Sequence, residues 1–334
     1  MKMKTRRKIS FAIVCTFLVL LTGAVHAKTL KISHVRPQDT AVDKDLRWFT
    51  EKLKETTGGK LKAKIYPSSS LGDYTVVQER IGLGAIDMAC QPVASAADKR
   101  FQLVSFPYML KNWAQAKKNY GVDGPLRKVV AELYAEQNIQ LLAVYPVYFG
   151  GIALNREPVS PGDSDAAKGI KLRVPPLKTF QLLADNTGYL GTPIPFSDAF
   201  TAVQTGVVDG VIGSGAEGYY ASFKDVTKYY IPSNTHFETW FLIINKEYFD
   251  DLGDDLRKQI TDVANQFEDR RWSNAEADQA ANEKRLADYG AKIVHITNDQ
   301  ITAIADKIHK KVWPVVLEDV GNEWGRSILD SIVK

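Results

Sequence analysis

Cysteine is nearly absent: Cys15 and Cys90 are the two in 334 residues. That leaves nothing for an internal disulfide framework, so stability must come from a packed core. Histidine is equally thin. His34, His236, His295 and His309 stand far apart in the body of the chain, with no H-E-x-x-H and no close Cys/His cluster, which excludes the familiar zinc sites. No G-x-S-x-G elbow and no Walker lysine occur. Glycines do crowd in Gly210–Gly218 (GVIGSGAEG), but no Lys-Ser/Thr pair follows them. The run is therefore not a phosphate loop, and it reads as a flexible loop lining a cleft. An enzyme must show a nucleophile, a metal set or a poised acid–base pair. None is legible, so no catalytic residue, metal or cofactor is assigned; an unrecognised hydrolytic dyad is the enzyme-class alternative.

A long apolar run is lacking too, apart from Ile9–Leu21, which falls short of the ~20 residues a membrane-spanning helix needs. Lys2, Lys4, Arg6, Arg7 and Lys8 precede it and Val25-His26-Ala27 follows. These are the parts of a secretory signal peptide over residues 1–27, with the mature chain starting near Lys28 and released into the periplasm. An uncleaved anchor is the alternative, and no cysteine stands at a lipidation site. The signal holds five of the 43 basic residues and none of the 39 acidic ones, leaving 38 bases against 39 acids. A basic excess that departs with the signal says nothing for nucleic acid, and that class is rejected. The remaining 307 residues are enough for two α/β lobes.

What is present reads as alternating strands and helices. Thr29–His34 alternates as a strand, and Val42–Thr57 sets Leu46, Phe49 and Leu53 on one helical face before Gly58-Gly59 stops it. Leu61, Ala63 and Ile65 alternate with lysines, then a helix over Tyr74–Leu83 and a strand at Ile86–Cys90 follow. This β-α-β-α-β order requires right-handed crossovers and a parallel sheet. A helix at Leu126–Gln137 and a strand at Gln140–Tyr145 lead to Phe149-Gly150-Gly151, after which the chain is expected to cross to a second lobe near Ile152–Asn155. Trp240–Asn245 reads as a buried strand returning to the first. Asp254–Tyr289 contains no Pro or Gly and, as one helix, would run roughly 50 Å; two helices with an unmarked turn are the alternative. The C-terminal Asp299–Ile332, interrupted at Pro314, is expected to be helical and to pack on the second lobe.

The stretch Gly169–Gly210 organises the second lobe. A strand at Ile170–Val174 stops at Pro175-Pro176, because prolines cannot donate to a ladder and force extended geometry before them. Arg173 thus stands at the carboxyl end of a strand, where open α/β sheets receive ligands; a solvated arginine in a surface salt bridge is the plainer alternative. A helix at Phe180–Asn186, a short strand near Thr192–Ile194, and a helix from Ser197 as N-cap to Gln204 follow, the last burying Phe200 and Val203. Val207–Asp209 would begin another strand.

Three runs here, Lys168–Pro175 (KGIKLRVP), Pro195–Phe200 (PFSDAF) and Ala202–Gly210 (AVQTGVVDG), closely resemble the most recognisable segment of the substrate-binding proteins of tripartite ATP-independent periplasmic (TRAP) transporters, the DctP-like family. His34–Asp39, Gly58–Lys60, Tyr66–Asp73, Gly84–Met88, Phe106–Tyr108 and Leu242–Leu252 match further landmarks of that family, in order. The resemblance implies an α/β, two-lobed periplasmic binding protein fold of the Venus-flytrap kind, with mixed sheets in each lobe and a long helix bridging them. Lobe I would hold residues 28–150 plus about 237–270, and lobe II 151–236 plus about 271–334. It further implies a monomer that captures a small organic anion and delivers it to the small and large membrane subunits of an ion-driven TRAP permease. The alternative from another class is a ligand sensor partnering a receptor kinase.

By the same resemblance, Arg173 falls on the arginine that pairs with the ligand carboxylate, a task for which a planar fork suits two oxygens at once. Phe196 and Trp240 fall on cleft-lining positions. Tyr148 and Phe149 belong to an aromatic cluster at the expected cleft edge, Glu217 and Glu238 reach toward it, and Gln91 and His34 stand at strand ends as polar contacts. Two departures matter. Gly150 stands where many members carry a second arginine, and Gly213 where asparagine is frequent; both are expected to remove polar handles and enlarge the space. One strong anion clamp beside flat apolar area favours a monocarboxylate with an apolar or aromatic body over a C4-dicarboxylate, with a sugar acid next. Closure is expected to hinge near Gly150-Gly151 and Gly213–Gly218.

Overall fold

The computed structural model describes residues 28–332, so the signal segment 1–27 lies outside the described residues. The chain begins with β1 (Lys28–Ser33), α1 (Ala41–Thr56), β2 (Leu61–Tyr66), α2 (Tyr74–Gly82) and β3 (Met88–Gln91). In α1, Leu46, Phe49 and Leu53 are fully buried, each such side chain contributing about 1.5–3 kcal/mol. A 3-10 turn at Lys99–Ser105, α3 (Trp113–Tyr120) and α4 (Pro125–Ala135) lead to β4 (Ile139–Phe149). The second lobe opens with β5 (Gly151–Leu154), β6 (Lys171–Val174), α5 (Lys178–Asn186), β7 (Leu190–Pro193) and α6 (Phe196–Gln204). It continues with β8 (Gly210–Ser214), α7 (Ala216–Phe223) and β9 (Tyr229–Ile231). The chain then returns through β10 (Phe237–Asn245), α8 (Lys246–Asp250) and α9 (Asp254–Asp288), and ends with β11 (Lys292–Ile293), α10 (Asn298–Lys311), α11 (Trp313–Val320) and α12 (Asn322–Ser331).

Among the described residues the strands form two mixed sheets, ordered β2-β1-β3-β10-β4 and β11-β9-β5-β8-β6-β7. The βαβ crossovers make β1 parallel to β2 and β3. β10 arrives from the other lobe and pairs antiparallel with β3 and β4. Its run from Trp240 to Ile244 is buried throughout, as expected for a strand covered on both faces.

A single helix, α9, spans 35 residues, about 52 Å at 1.5 Å per residue. It packs on α1 and β4 at one end and on α7 at the other, bridging the lobes. The apolar side chains Ile260, Val263, Ala264 and Phe267 are followed by the buried polar Glu268 and Arg271. The reason is β4, an edge strand whose free backbone groups need partners. Glu268 accepts from Val144 N at 2.8 Å, Arg271 Nε donates to Pro146 O at 2.7 Å, and Gln279 accepts from Phe149 N at 2.7 Å.

Several expectations are corrected. Gly210–Gly218 is no loop: it forms β8, Gly215 and the start of α7. It lies inside the second lobe, so the glycines at 213–218 are not at the crossing. The chain crosses at Gly150 and again before Phe237, where the two segments bond each other through Gly150 N to His236 O at 2.8 Å and Thr235 N to Gly150 O at 2.9 Å. Ser197 does not cap α6; Pro195 holds that place, and Ser197 N donates to Asp73 of the first lobe at 3.1 Å. The C-terminal helices do not all sit on the second lobe. α10 packs on α5, but α11 packs on the 3-10 turn and α12 on α4, because Trp313 Nε1 reaches Pro107 O at 3.1 Å and its ring meets Phe106.

Candidate ligand-binding site

Between the lobes lies a cavity of about 40 Å³. Its walls come from carboxyl ends of strands in both sheets, the place where open α/β sheets receive ligands. Val35 and Arg36 follow β1, Pro92 and Val93 follow β3, and Tyr74 opens α2. From the other side come Arg173 near the end of β6, Pro175, Leu177 and Phe180 after it, and Phe196, which opens α6. Phe237, Glu238, Thr239 and Trp240 are consecutive, yet all four border the cavity. A register shift between Glu238 and Thr239 breaks the strand alternation that would otherwise turn half of them away.

Arg173 pairs in register with Thr192 and Val211, so its backbone is fixed by strands on both sides. Its side chain is 1 % exposed. Nε donates to Ile194 O at 2.8 Å, while Nη2 is buried with no hydrogen-bond partner among the described residues. Burial pushes this guanidinium below its ordinary pKa, opposed by Tyr74 and Asp73. Arg173 lines the cavity, and its buried guanidinium nitrogen without an acceptor leaves hydrogen-bonding capacity unused for an anion.

A second arginine, Arg36, was not singled out from the sequence. It too is 1 % exposed, but it is paired: Nε and Nη2 each lie 3.0 Å from Glu217 Oε2 across the lobes. Its guanidinium sits 4.9 Å from both the Phe196 and Trp240 ring centres. Burial works against its charge, yet Glu217 and Tyr148 hold it protonated beyond the ordinary arginine value. Tyr148 also meets Ser214 of β8 at 3.1 Å.

Of the residues singled out, Arg173, Phe196, Trp240, Tyr148, Glu238 and Gly213 border the cavity. Glu238 accepts from Trp240 Nε1 at 2.7 Å and lies 3.1 Å from His236 Nε2. Glu217 stands behind Arg36 and borders an outer groove of about 440 Å³ instead. Phe149 points the other way, against Trp113 and Phe237, because strand neighbours face opposite sides and Tyr148 has the cavity side. Gln91 Nε2 donates to Tyr74 O at 3.0 Å, holding the first residue of α2 rather than bordering the cavity. His34 is sealed at 0 % exposure with Nε2 3.2 Å from Asp43; its burial lowers its pKa against the opposing pull of Asp43.

The two glycine departures do not enlarge the space. A Cβ on Gly150 would stand 2.2 Å from His236 Cε1, so the imidazole fills that place. One on Gly213 would stand 2.4 Å from Pro175 Cγ. The same run lets the first lobe dock closely: a Cβ on Gly215 would strike the Tyr148 ring at 2.6 Å, and one on Gly218 Arg36 Nη2 at 2.4 Å. Close lobe packing is what these glycines serve. Among the described residues no group of His, Cys, Asp and Glu could hold a metal ion, and no helix is long and apolar enough to cross a membrane.

The model of bacterial extracellular solute-binding protein family 7, DctP, matches residues 32–317. The C4-dicarboxylate-binding periplasmic protein DctP of Rhodobacter capsulatus is 24% identical over 327 residues, 96% of this chain and 97% of that protein. The sugar acid binding protein DctPAm of Advenella mimigardefordensis, solved with galactonate, superposes with a TM-score of 0.84 at 21% identity, over 91% of this chain and 97% of that one. DctP7, a Bordetella pertussis extracytoplasmic solute receptor binding pyroglutamic acid, gives a TM-score of 0.81 at 22% identity, over 92% and 100%. Two lobes, a bridging helix, an interlobe cavity lined by an arginine with an unpartnered nitrogen and a family match over most of the chain lead to one conclusion: the chain belongs to the DctP family of extracellular solute-binding proteins that serve TRAP transporters, and is a binding protein rather than an enzyme.

Proposed function

We propose that this protein captures a small monocarboxylate between its lobes and delivers it to the membrane subunits of a TRAP permease. In this reading residues 1–27 are a cleaved signal, the mature chain works in the periplasm as a monomer, and the lobes divide at Gly150 and just before Phe237. The observation that carries it is the buried, unpartnered Nη2 of Arg173 in the cavity wall. A carboxylate there accepts a charge-assisted hydrogen bond that no group of the protein supplies. Arg36 is already neutralised by Glu217, so a second carboxylate would be buried unpaired, at several kcal/mol. Val35, Val93, Val104, Leu177 and Phe180 offer the body of the ligand apolar wall.

The cavity of about 40 Å³ equals roughly three waters at ~10–15 Å³ each. That favours a short acid, and a larger one only if the walls yield. Galactonate and pyroglutamic acid, bound by two relatives, each carry one carboxylate, whereas the Rhodobacter relative is named for C4-dicarboxylates. Relatives therefore leave the class open, and this chain's own charges favour one carboxylate. A sugar acid is the second reading, favoured by Glu238 and Thr239 in the wall. The test is a thermal-shift screen of short, branched and aromatic monocarboxylates, aldonic and uronic acids, and C4-dicarboxylates, followed by calorimetry. A ligand at 100 times its dissociation constant adds about 2.7 kcal/mol. Micromolar binding of succinate or malate with failure of every monocarboxylate would overturn this reading.

A further inference from the structure

Arg36 lines the inner cavity, while Glu217, which neutralises it, lines the outer groove instead. The arginine is fixed on every side. Phe196 and Trp240 lie 4.9 Å from it, Tyr148 Oη lies 3.5 Å from Nη2, and Gly218 leaves it room. Such a guanidinium cannot swing away from the ligand space. Whether the cavity sees one positive charge or two therefore depends on a carboxylate outside the cavity.

We propose that Glu217 is the specificity-determining residue that makes this a one-carboxylate site, by neutralising Arg36 from behind. The inference rests on the reading that Arg173 clamps the ligand carboxylate. Remove the Glu217 charge and Arg36 becomes a second clamp on the same cavity, placed on the opposite lobe. A dicarboxylate would then be held by one arginine from each lobe. Both guanidinium groups are buried, where charge pairs act at low dielectric and an unpaired one is costly. A ligand carboxylate would thus replace Glu217 as the counter-charge.

The experiment is calorimetric titration of the mature full-length chain with succinate. Glu217→Gln keeps the side-chain shape and an acceptor for Arg36 but removes the charge; it is expected to bind succinate at least tenfold more tightly than the parent. In Arg36→Met/Glu217→Gln the gain should vanish. Should Glu217→Gln fold poorly, Glu217→Ala, on a helix that accepts alanine, is held to the same criterion. No gain in either single variant, or a gain that survives without Arg36, overturns the proposal. Arg173→Met/Glu217→Gln separates this from the underlying reading. If it still binds succinate through Arg36, the Arg173 clamp is wrong and the Glu217 assignment stands.

Discussion

Replacing Arg173 by methionine should move affinity and stability in opposite directions. Methionine fills a similar length without charge. For the ligand, the loss is a carboxylate held by charged hydrogen bonds worth about 1.5–3 kcal/mol each. Two of them give roughly 3–6 kcal/mol, a fall in affinity of about a hundredfold or more. For the ligand-free protein the balance differs. The Nε bond to Ile194 O at 2.8 Å disappears, leaving a buried carbonyl unpaired at about 1–3 kcal/mol. The cation–π contact with Phe196, 5.8 Å away, takes away about 0.5–1 kcal/mol more. Against these, a buried cation with a free Nη2 is removed, and the effective penalty for such an ion is several kcal/mol. The sum is near zero or slightly stabilising, by about 1 kcal/mol, which is about 1.5 °C in Tm for a chain of this size. Differential scanning calorimetry without ligand and titration with the best acid from the screen read the two terms separately. A melting point many degrees below the parent, as when a satisfied buried ion pair is broken, together with affinity within threefold of the parent, would refute the argument.

Gly150→Ala should cost about 1–3 kcal/mol through overpacking, since its Cβ would meet His236 at 2.2 Å and Thr235 Oγ1 at 2.7 Å; a parent-like urea midpoint would show that the crossing yields freely. Gly218→Ala should push Arg36 and Ser214 aside, at 2.4 and 2.1 Å, and weaken lobe closure more than folding. Small-angle scattering at saturating ligand should then give a larger radius than the parent, with Tm little changed. His34 is held neutral by burial, with Asp43, Arg36 and Glu217 as charged neighbours. Its folded pKa lies below the unfolded value of about 6.5, so the unfolded chain binds the extra proton first and stability falls as pH drops through that value. Urea midpoints from pH 8 to 5 should decline below about 6.5 in the parent and decline less in His34→Gln; equal slopes would count against it.

Most of the fold was legible because its signals are local. The α1 face of Leu46, Phe49 and Leu53 and the unbroken helix after Asp254 are properties of neighbouring residues. The buried polar side of α9 is not such a property: Glu268 and Arg271 are explained only by β4 being an edge strand. The site divides in the same way. Arg173 was marked by the two prolines after it, and the strand-end argument applied equally to Arg36, which stands just past β1 before Pro37. His34 stands at the same strand end, and the sequence alone does not show that it is sealed beside Asp43. Phe149 is named with Tyr148 from the sequence, although strand alternation sets the two on opposite sides, whereas four consecutive wall residues after His236 require the register shift. The partner of Arg36 is 181 positions away, and no local rule reaches that far.

On the proposed function, the glycine run and the two arginines would make recognition and closure one event. Glycines at 215 and 218 let the lobes meet through Tyr148, Ser214, Arg36 and Glu217. These contacts need no ligand, so by themselves they would hold the cleft shut. A receptor shut in advance would keep its ligand out, and its apparent affinity would fall with the fraction of open molecules. Arg173 opposes this: closing the lobes buries its guanidinium with Nη2 unpaired. Under the proposed function a ligand carboxylate would remove that cost, and its differential affinity for the closed form would shift the balance. On that proposal, charge on the ligand would act on Arg173, and closure would follow because the remaining lobe contacts are already in place.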